Sequence, residues 1–336
     1  MKSITTTLFI LSLIVFTSCE NFYENVPANT AEENFELLWN EFNNHYAPFE
    51  ERGVDWEEQY AIFRPQVTLS TTDAKLYEIF KQMLGTLNDS HVSLTIPGQA
   101  TWRSNQYVND KVDDELFDLE LIKTKYLSNE YKINGYDFNT YGWIGDIGYV
   151  HMVWVTDNMY DLDAILDYFK DAKGLIIDYR HNGGGTFMWG YESMGRLVDK
   201  PRLTHRSKTK NGTGKNDYTE WFDWYIHPKG EYYNKPIVFL TDKYSISSAE
   251  RMTYAFKVLP NVIHMGDSTN GSIGTKVGRE LPNGWAYTIV TQKIEGFDGN
   301  FYEGVGIPPD VYVKNTLSEM QSGIDRTLEE AINQLK

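Results

Sequence analysis

The chain is poor in the residues that several large function classes require. It has one cysteine in 336 residues, Cys19, so it can form no internal disulfide and no cysteine-based metal site. No His-Glu-x-x-His occurs and the seven histidines are scattered, which leaves no zinc-hydrolase pattern. Its glycine-rich segment, Gly183-Gly184-Gly185, is not followed by Lys-Ser/Thr, so it is not a nucleotide phosphate loop. Positive charge is scarce: 31 Lys and Arg stand against 47 Asp and Glu, a net charge of −16. Such a surface repels phosphate backbones and argues against a nucleic-acid partner. Nothing in the chain implies a cofactor. The one long apolar run, Leu8 to Phe16, is too short to span a bilayer, and no internal repeat or low-complexity tract is present.

That short run has a different use. Met1-Lys2 followed by apolar residues and then Phe16-Thr17-Ser18-Cys19 has the layout of a secretory signal that ends in a bacterial lipobox. Residues 1–18 are expected to be removed and Cys19 acylated, with 19–30 as a polar tether to the membrane. The alternative is a plain signal peptide with an incidental cysteine. Cleavage removes only Lys2 and moves the net charge to −17. The expected localisation is the bacterial cell envelope.

The remainder is long enough for a sizeable core, with 41% apolar and 15% aromatic residues. Residues 31–88 read as a small helical cap. Phe35, Leu38, Trp39 and Phe42 form one apolar stripe at helical spacing, and Leu76, Ile79, Phe80, Met83, Leu84 and Leu87 form another. Residues 89–336 read as a mixed α/β body. Strands are predicted at 92–96, 147–155, 175–177, 237–240, 262–265 and 310–313, with a hairpin of 277–281 and 285–290 around Pro282-Asn283-Gly284. Leu119 to Thr124 is a further strand candidate, and 205–219 reads as a polar stretch with a turn at Asn211-Gly212. Helices are expected from Asp157, over 187–197, over 247–258 and over 324–335. Strand 147–155, the helix after it and strand 175–177 make a βαβ unit.

Three segments carry chemistry. Ser247, in Ser245-Ile246-Ser247-Ser248-Ala249-Glu250, follows an apolar strand and opens a helix, where free N–H groups and the helix dipole favour an oxyanion. The same letters also fit a capping box. The glycine run after Asp178-Tyr179-Arg180-His181-Asn182 suits a backbone that must approach a ligand closely, or an ordinary strand-to-helix turn. Ser90-His91 lies between an amphipathic helix and a strand, where a lone histidine is more often structural than catalytic. A serine, a histidine and a glycine loop are the parts of an acyl-transfer site.

In order, these segments resemble the tail-specific (C-terminal processing) protease family, in its group with the interphotoreceptor retinoid-binding proteins and the tricorn core. Gly266-Asp267-Ser268-Thr269-Asn270-Gly271 and Glu303-Gly304-Val305-Gly306-Ile307-Pro308-Pro309-Asp310 extend the likeness over roughly 75–315. The resemblance implies a crotonase/ClpP-like α/β core and a serine endopeptidase that acts on peptides or unfolded protein segments. The processing branch places a base lysine where this chain has Ser272. The tricorn-like branch uses a histidine, so the resemblance implies a tetrad of Ser247 as nucleophile, His91 as base, and Ser90 and Glu303 completing the hydrogen-bond network. It further implies an oxyanion hole from the N–H groups of Ser248 and Gly184. A histidine base is expected to titrate near its ordinary value of about 6.5. Lys276 is the one lysine that a shifted loop would offer instead. Residues 92–146 are short for the PDZ domain that many relatives carry. The alternatives are a non-catalytic ligand- or peptide-binding lipoprotein on the same scaffold, and a glycan-binding lipoprotein.

Overall fold

A computed structural model describes residues 28–336. The signal and lipobox expectations, including Cys19, fall outside the described residues, as does most of the tether. Among the described residues no helix is long and apolar enough to cross a membrane.

The helical cap forms as its stripes require. Helix α1 (Ala31–His45) is capped by Thr30, whose hydroxyl accepts the Glu33 N–H at 3.2 Å. Phe35, Leu38, Trp39 and Phe42 are buried along one face. A single turn (Phe49–Arg52) ends at Gly53 in the left-handed region, and α2 (Trp56–Phe63) and α3 (Asp73–Gly85) complete the unit. The cap has no core of its own. Its buried side chains share one cluster with Val92, Leu94, Leu281, Trp285, Tyr287, Ile289 and Val290. Those residues belong to a four-stranded antiparallel sheet of order β11-β12-β1-β2 and its turn, made of β1 (Ser93–Thr95), β2 (Trp102–Arg103), β11 (Lys276–Glu280) and β12 (Ala286–Val290). Each large apolar side chain buried there contributes about 1.5–3 kcal/mol, so cap and sheet stabilise each other.

The body is built on a seven-stranded sheet of order β14-β10-β9-β6-β5-β4-β3. Its members are β3 (Tyr131–Asn134), β4 (Asn139–Ile144), β5 (Ile147–Met152), β6 (Leu175–Asp178), β9 (Ile237–Thr241), β10 (Val262–Gly266) and β14 (Val311–Tyr312). Strands β5, β6, β9, β10 and β14 run parallel, while β3, β4 and β5 are antiparallel. The central strands are buried on both faces, which explains their unbroken apolar sequences. Leu175, Ile177, Ile237 and Phe239 face one core, with α4 (Leu162–Tyr168), α5 (Phe187–Ser193) and α6 (Ser248–Lys257). Ile176, Val238 and Leu240 face the other, with α7 (Arg326–Gln334). The expected βαβ unit is β5-α4-β6, with the two strands paired in parallel. The mixed α/β fold class stands.

Two local expectations change. Residues Leu119–Leu121 and Ile122–Tyr126 are helical, not a strand, because the Asp118 carboxylate caps the N–H groups of Glu120 and Leu121 at 2.8 and 3.2 Å. The start of the polar stretch 205–219, residues 205–209, belongs to a third sheet, order β13-β7-β8, made of β7 (Arg202–Thr209), β8 (Phe222–Ile226) and β13 (Gln292–Gly296).

Candidate active site

The carboxyl ends of β6 and β9, at the centre of the sheet, carry the glycine loop and Ser247. Backbone leaving adjacent parallel strands is free to converge there. Ile246 N–H donates to the Asn182 carbonyl at 3.0 Å, and Ser245 Oγ donates to the Tyr179 carbonyl at 2.7 Å, so the two loops are stitched together.

Ser247 has φ 66° and ψ −120°. A serine in that region is strained by about 1–3 kcal/mol, a cost found where geometry serves chemistry. The backbone around it is overdetermined. Ser247 N–H donates to Glu250 Oε2 at 2.9 Å, half of a capping box. The Ser247 side chain makes no capping hydrogen bond, and the Glu250 N–H goes to the Ser247 carbonyl at 2.9 Å. The hydroxyl is half-buried and available.

Glu250 is the anchor of this corner. It is fully buried, and its two oxygens also accept from Thr269 Oγ1 (2.8 Å), Gly271 N–H (2.6 Å) and Ser272 N–H (2.9 Å). Burial raises its carboxyl, while these donors pull it back toward the ionised form. The sequence showed Glu250 only as a motif letter. Four donors converging on it make it the residue that fixes Ser247 to the 269–272 loop.

Gly184 presses on the serine. A Cβ there would lie 2.6 Å from the Ile246 carbonyl oxygen, 2.7 Å from Ser247 Cβ and 2.9 Å from Ser248 N, with φ +88°. Only glycine fits. Ser248 N–H has no partner among the described residues, and Ser248 Oγ donates to the Gly185 carbonyl at 2.6 Å. The Gly184 N–H is engaged: it donates to Asn182 Oδ1 at 2.9 Å, while Asn182 Nδ2 holds the Met152 carbonyl at 2.7 Å. Asp178 and Arg180 lie behind the loop in a buried charge cluster with Asp325, at 2.6 and 2.9 Å from the guanidinium.

His91 is buried and held by its backbone. Its N–H donates to Asp89 Oδ1 at 2.8 Å and its carbonyl accepts from Thr288 Oγ1 at 2.6 Å. The imidazole makes no hydrogen bond with the described residues, and Nδ1 is enclosed without a partner. Burial first, then the charges of Lys276, Arg52 and Arg251, lowers His91 to about 4 against the pull of Asp89. The expected titration near neutrality therefore shifts well to the acid side.

Ser90 Oγ donates to Asn270 Oδ1 at 2.9 Å, and its N–H donates to Ser272 Oγ at 3.1 Å. Ser272 Oγ also donates to Asn270 Oδ1 at 2.9 Å. A continuous path runs from Ser90 through Ser272 and Glu250 to the Ser247 N–H. The position where a lysine was looked for is thus filled by a buried hydroxyl that joins the two halves of the site.

Glu303 is buried beside this path. Oε2 accepts the N–H groups of Ile273 and Gly274, both at 3.0 Å, and Oε1 accepts Arg52 Nη2 at 2.7 Å. Burial pushes the carboxyl up to about 7 against the pull of Arg52. Glu303 has no direct hydrogen bond to Ser90 or His91; Arg52 joins it to Asp89, at 3.4 Å, and Asp89 holds the His91 N–H. Arg52 and Asp89 were not singled out in the sequence. Asp89 adjoins Ser90-His91 and was within reach, whereas Arg52 sits in an unremarkable acidic segment. Lys276 lies exposed on β11, opposite Val290.

Comparison with known proteins identifies a family of peptidases. Residues 146–313 match the model of peptidase family S41, and residues 27–85 match the tricorn protease C1 domain. A carboxy-terminal-processing protease of Bartonella bacilliformis is 25% identical over 194 residues, which are 56% of this chain and 43% of that protein. The carboxy-terminal processing protease CtpA of Bacillus subtilis is 28% identical over 142 residues, 42% of this chain and 29% of that protein. The chain thus spans less than half the length of these curated relatives. The crystal structure of a putative peptidase from Parabacteroides merdae superposes with a TM-score of 0.83 at 29% identity, covering 92% of this chain and 97% of that one.

Proposed function

The chain belongs to peptidase family S41, and from that premise we propose that it is a serine endopeptidase acting on peptides or unfolded protein segments. The observation that carries the reading is the strained, uncapped Ser247 packed between Gly184 and the unpaired N–H of Ser248. In the proposed reaction Ser247 Oγ attacks a peptide carbonyl. The developing oxyanion takes the Ser248 N–H and the Gly184 N–H, the latter exchanging its neutral bond to Asn182 for a stronger charge-assisted one. His91 is neutral at physiological pH, so it accepts the serine proton and returns it to the leaving amine. Ser90 and Glu303 complete the tetrad indirectly. Ser90 fixes the backbone that bears His91, and Glu303, with Arg52 and Asp89, sets the charge around it.

Fluorophosphonate labelling and peptide-library cleavage test this reading. Wild type should label at Ser247 and cleave, and Ser247→Ala should do neither while unfolding at nearly the same temperature, since the hydroxyl makes no capping bond. Turnover retained by Ser247→Ala in a clean preparation would remove the nucleophile assignment. The binding-only alternative draws on one feature, the unpaired imidazole of His91; it requires wild type to bind peptides without labelling.

The proposal includes a lipid anchor at Cys19 that holds the acidic body at the bacterial envelope, with no role for nucleic acid. Cys19→Ser should move the protein from the membrane fraction to the soluble one with its activity intact. Unchanged membrane retention would refute the anchor.

A further inference from the structure

Arg251 is a buried cation that the mechanism above does not use. Among the described residues, two other arginine side chains are as deeply buried, and each pairs with two carboxylates. Arg52 lies 2.7 Å from Glu303 and 3.4 Å from Asp89, and Arg180 lies 2.6 Å from Asp178 and 2.9 Å from Asp325. Arg251 is 3% exposed, yet no described carboxylate lies within salt-bridge distance of it. Its partners are neutral: Nε donates to the Ile273 carbonyl at 3.2 Å, and Nη2 donates to Thr275 Oγ1 at 3.0 Å and Gln292 Oε1 at 2.8 Å. The guanidinium carbon stands 4.5 Å over the Phe187 ring. Nη1 has no partner among the described residues, and it is not one of the sealed, unpartnered polar atoms, so it keeps contact with solvent. Burial lowers the guanidinium to about 10, which leaves it charged at neutral pH.

Its place in the fold ties this charge to the nucleophile. Arg251 is four residues after Ser247, one turn into α6, and its backbone N–H donates to the Ser247 carbonyl at 3.3 Å. Phe187, beneath the guanidinium, is three residues past Gly184. Ile273 and Thr275, which hold it, bracket the amides on Glu303. The charge is also among those that keep the His91 imidazole neutral. A brace between α6 and the 273–275 loop needs hydrogen-bond donors but no charge. Glu303 and Glu250 act on this charge only at a distance, and burying a charge without a directly paired carboxylate is unfavourable.

We propose that Arg251 is a specificity-determining residue that receives a carboxylate of the substrate beside the scissile bond, with its partnerless Nη1 and the flat face over Phe187 forming the receiving end. The inference rests on reading Ser247 as the centre of a peptide-binding cleft. An acidic side chain and a free C-terminus present the same chemistry, and a planar guanidinium is suited to either.

The test measures binding, so that it does not depend on turnover. Full-length Ser247→Ala protein is titrated, by fluorescence anisotropy, with two matched pairs of peptides derived from a cleaved library sequence or, failing any cleavage, from an arrayed set. One pair differs as Glu against Gln at a single internal position, the other as C-terminal acid against amide. At least one carboxylate-bearing member should bind tenfold or more tightly than its neutral twin, and the pair that discriminates identifies the source. Adding Arg251→Gln should collapse that ratio to near one, and Arg251→Lys, which keeps the charge without the fork, should leave an intermediate ratio. Equal binding within both pairs, or a preference that survives Arg251→Gln, overturns the proposal. If Arg251→Gln does not fold, the ratios of the Ser247→Ala protein and of Arg251→Lys still decide it: no drop in Arg251→Lys refutes the fork. Discrimination without any hydrolysis by wild type would refute the peptidase reading and leave the carboxylate site standing.

Discussion

At the scale of single residues, the site is a problem of keeping a histidine neutral while surrounding it with charge. His91 is enclosed, and burial is the largest influence on its basicity, outweighing Asp89. If His91 is the base, as proposed, it is ready at neutral pH, and the acid limb of kcat/KM should fall near its lowered value of about 4 instead of 6.5. His91→Ala should cost about three to four orders of magnitude in turnover, whereas Lys276→Ala, at an exposed position on β11, should change it by less than about threefold. Steady-state rates on one peptide decide between them, and a dead Lys276→Ala beside an active His91→Ala would transfer the base role to the lysine. Ser247, Ser90, His91, Ser248, Gly184 and Glu303, the residues of the proposed site, could be singled out from the sequence because each belongs to a short motif. Arg52, Asp89 and Arg251 were not. Their significance lies in what they meet across gaps of up to 251 residues, as in the Arg52–Glu303 bond, and no local pattern encodes that meeting.

Elements were legible where their burial leaves a regular apolar pattern, one stripe on a helix or an unbroken run on a strand buried on both faces. Helices α1 and α3 show clean apolar stripes, and β6 and β9 are short unbroken apolar runs. Strand β7 was hidden because its inner face carries Thr204, His205 and Ser207 in place of apolar residues, with a register shift between Leu203 and His205. The same lesson applies to the cap: its helices were legible, but not that their last contribution to the body is a single guanidinium. Arg52 closes the turn Phe49–Arg52 and reaches Gly271 O at 2.6 Å, Asn88 O at 2.7 Å and Glu303 at 2.7 Å. Removing it strands two buried carboxylates, so Arg52→Met should destabilise the chain by about 3–5 kcal/mol in urea unfolding. Arg52→Met with Glu303→Gln should recover part of that loss, because one uncompensated charge is gone. If the single variant were as stable as wild type, the cap would be a passive cover for the site and not a part of it.

For the molecule as a whole, the enclosed histidines make stability fall in acid. His91 is lowered to about 4, His264 to about 3, and His151 and His205 are lowered as well, in each case mainly by burial. The unfolded chain takes up these protons near pH 6.5 and the folded chain does not. Between those values the unfolded state binds more protons, so the slope of unfolding free energy with pH is positive and stability falls as pH falls. Each such histidine contributes up to about 1.4 kcal/mol per pH unit inside its window. Glu303 works in the opposite direction. Its carboxyl is raised to about 7, so its contribution is fully present below the unfolded value near 4.5 and is lost as pH rises through 7. Glu250, also raised, opposes the histidines in the same sense. His181, raised against the effect of burial by its bond to Asp242, opposes them too, and four lowered histidines against these three groups leave a net loss on going from pH 7 to pH 5. The urea midpoint should therefore drop over that interval by an amount worth a few kcal/mol. Glu303→Gln removes one of the offsetting groups and should make the drop steeper, whereas His264→Gln should make it shallower. A midpoint that stays level between pH 7 and pH 5 would mean that these imidazoles take up protons in the folded state, and with that the neutral base proposed at His91 would be lost.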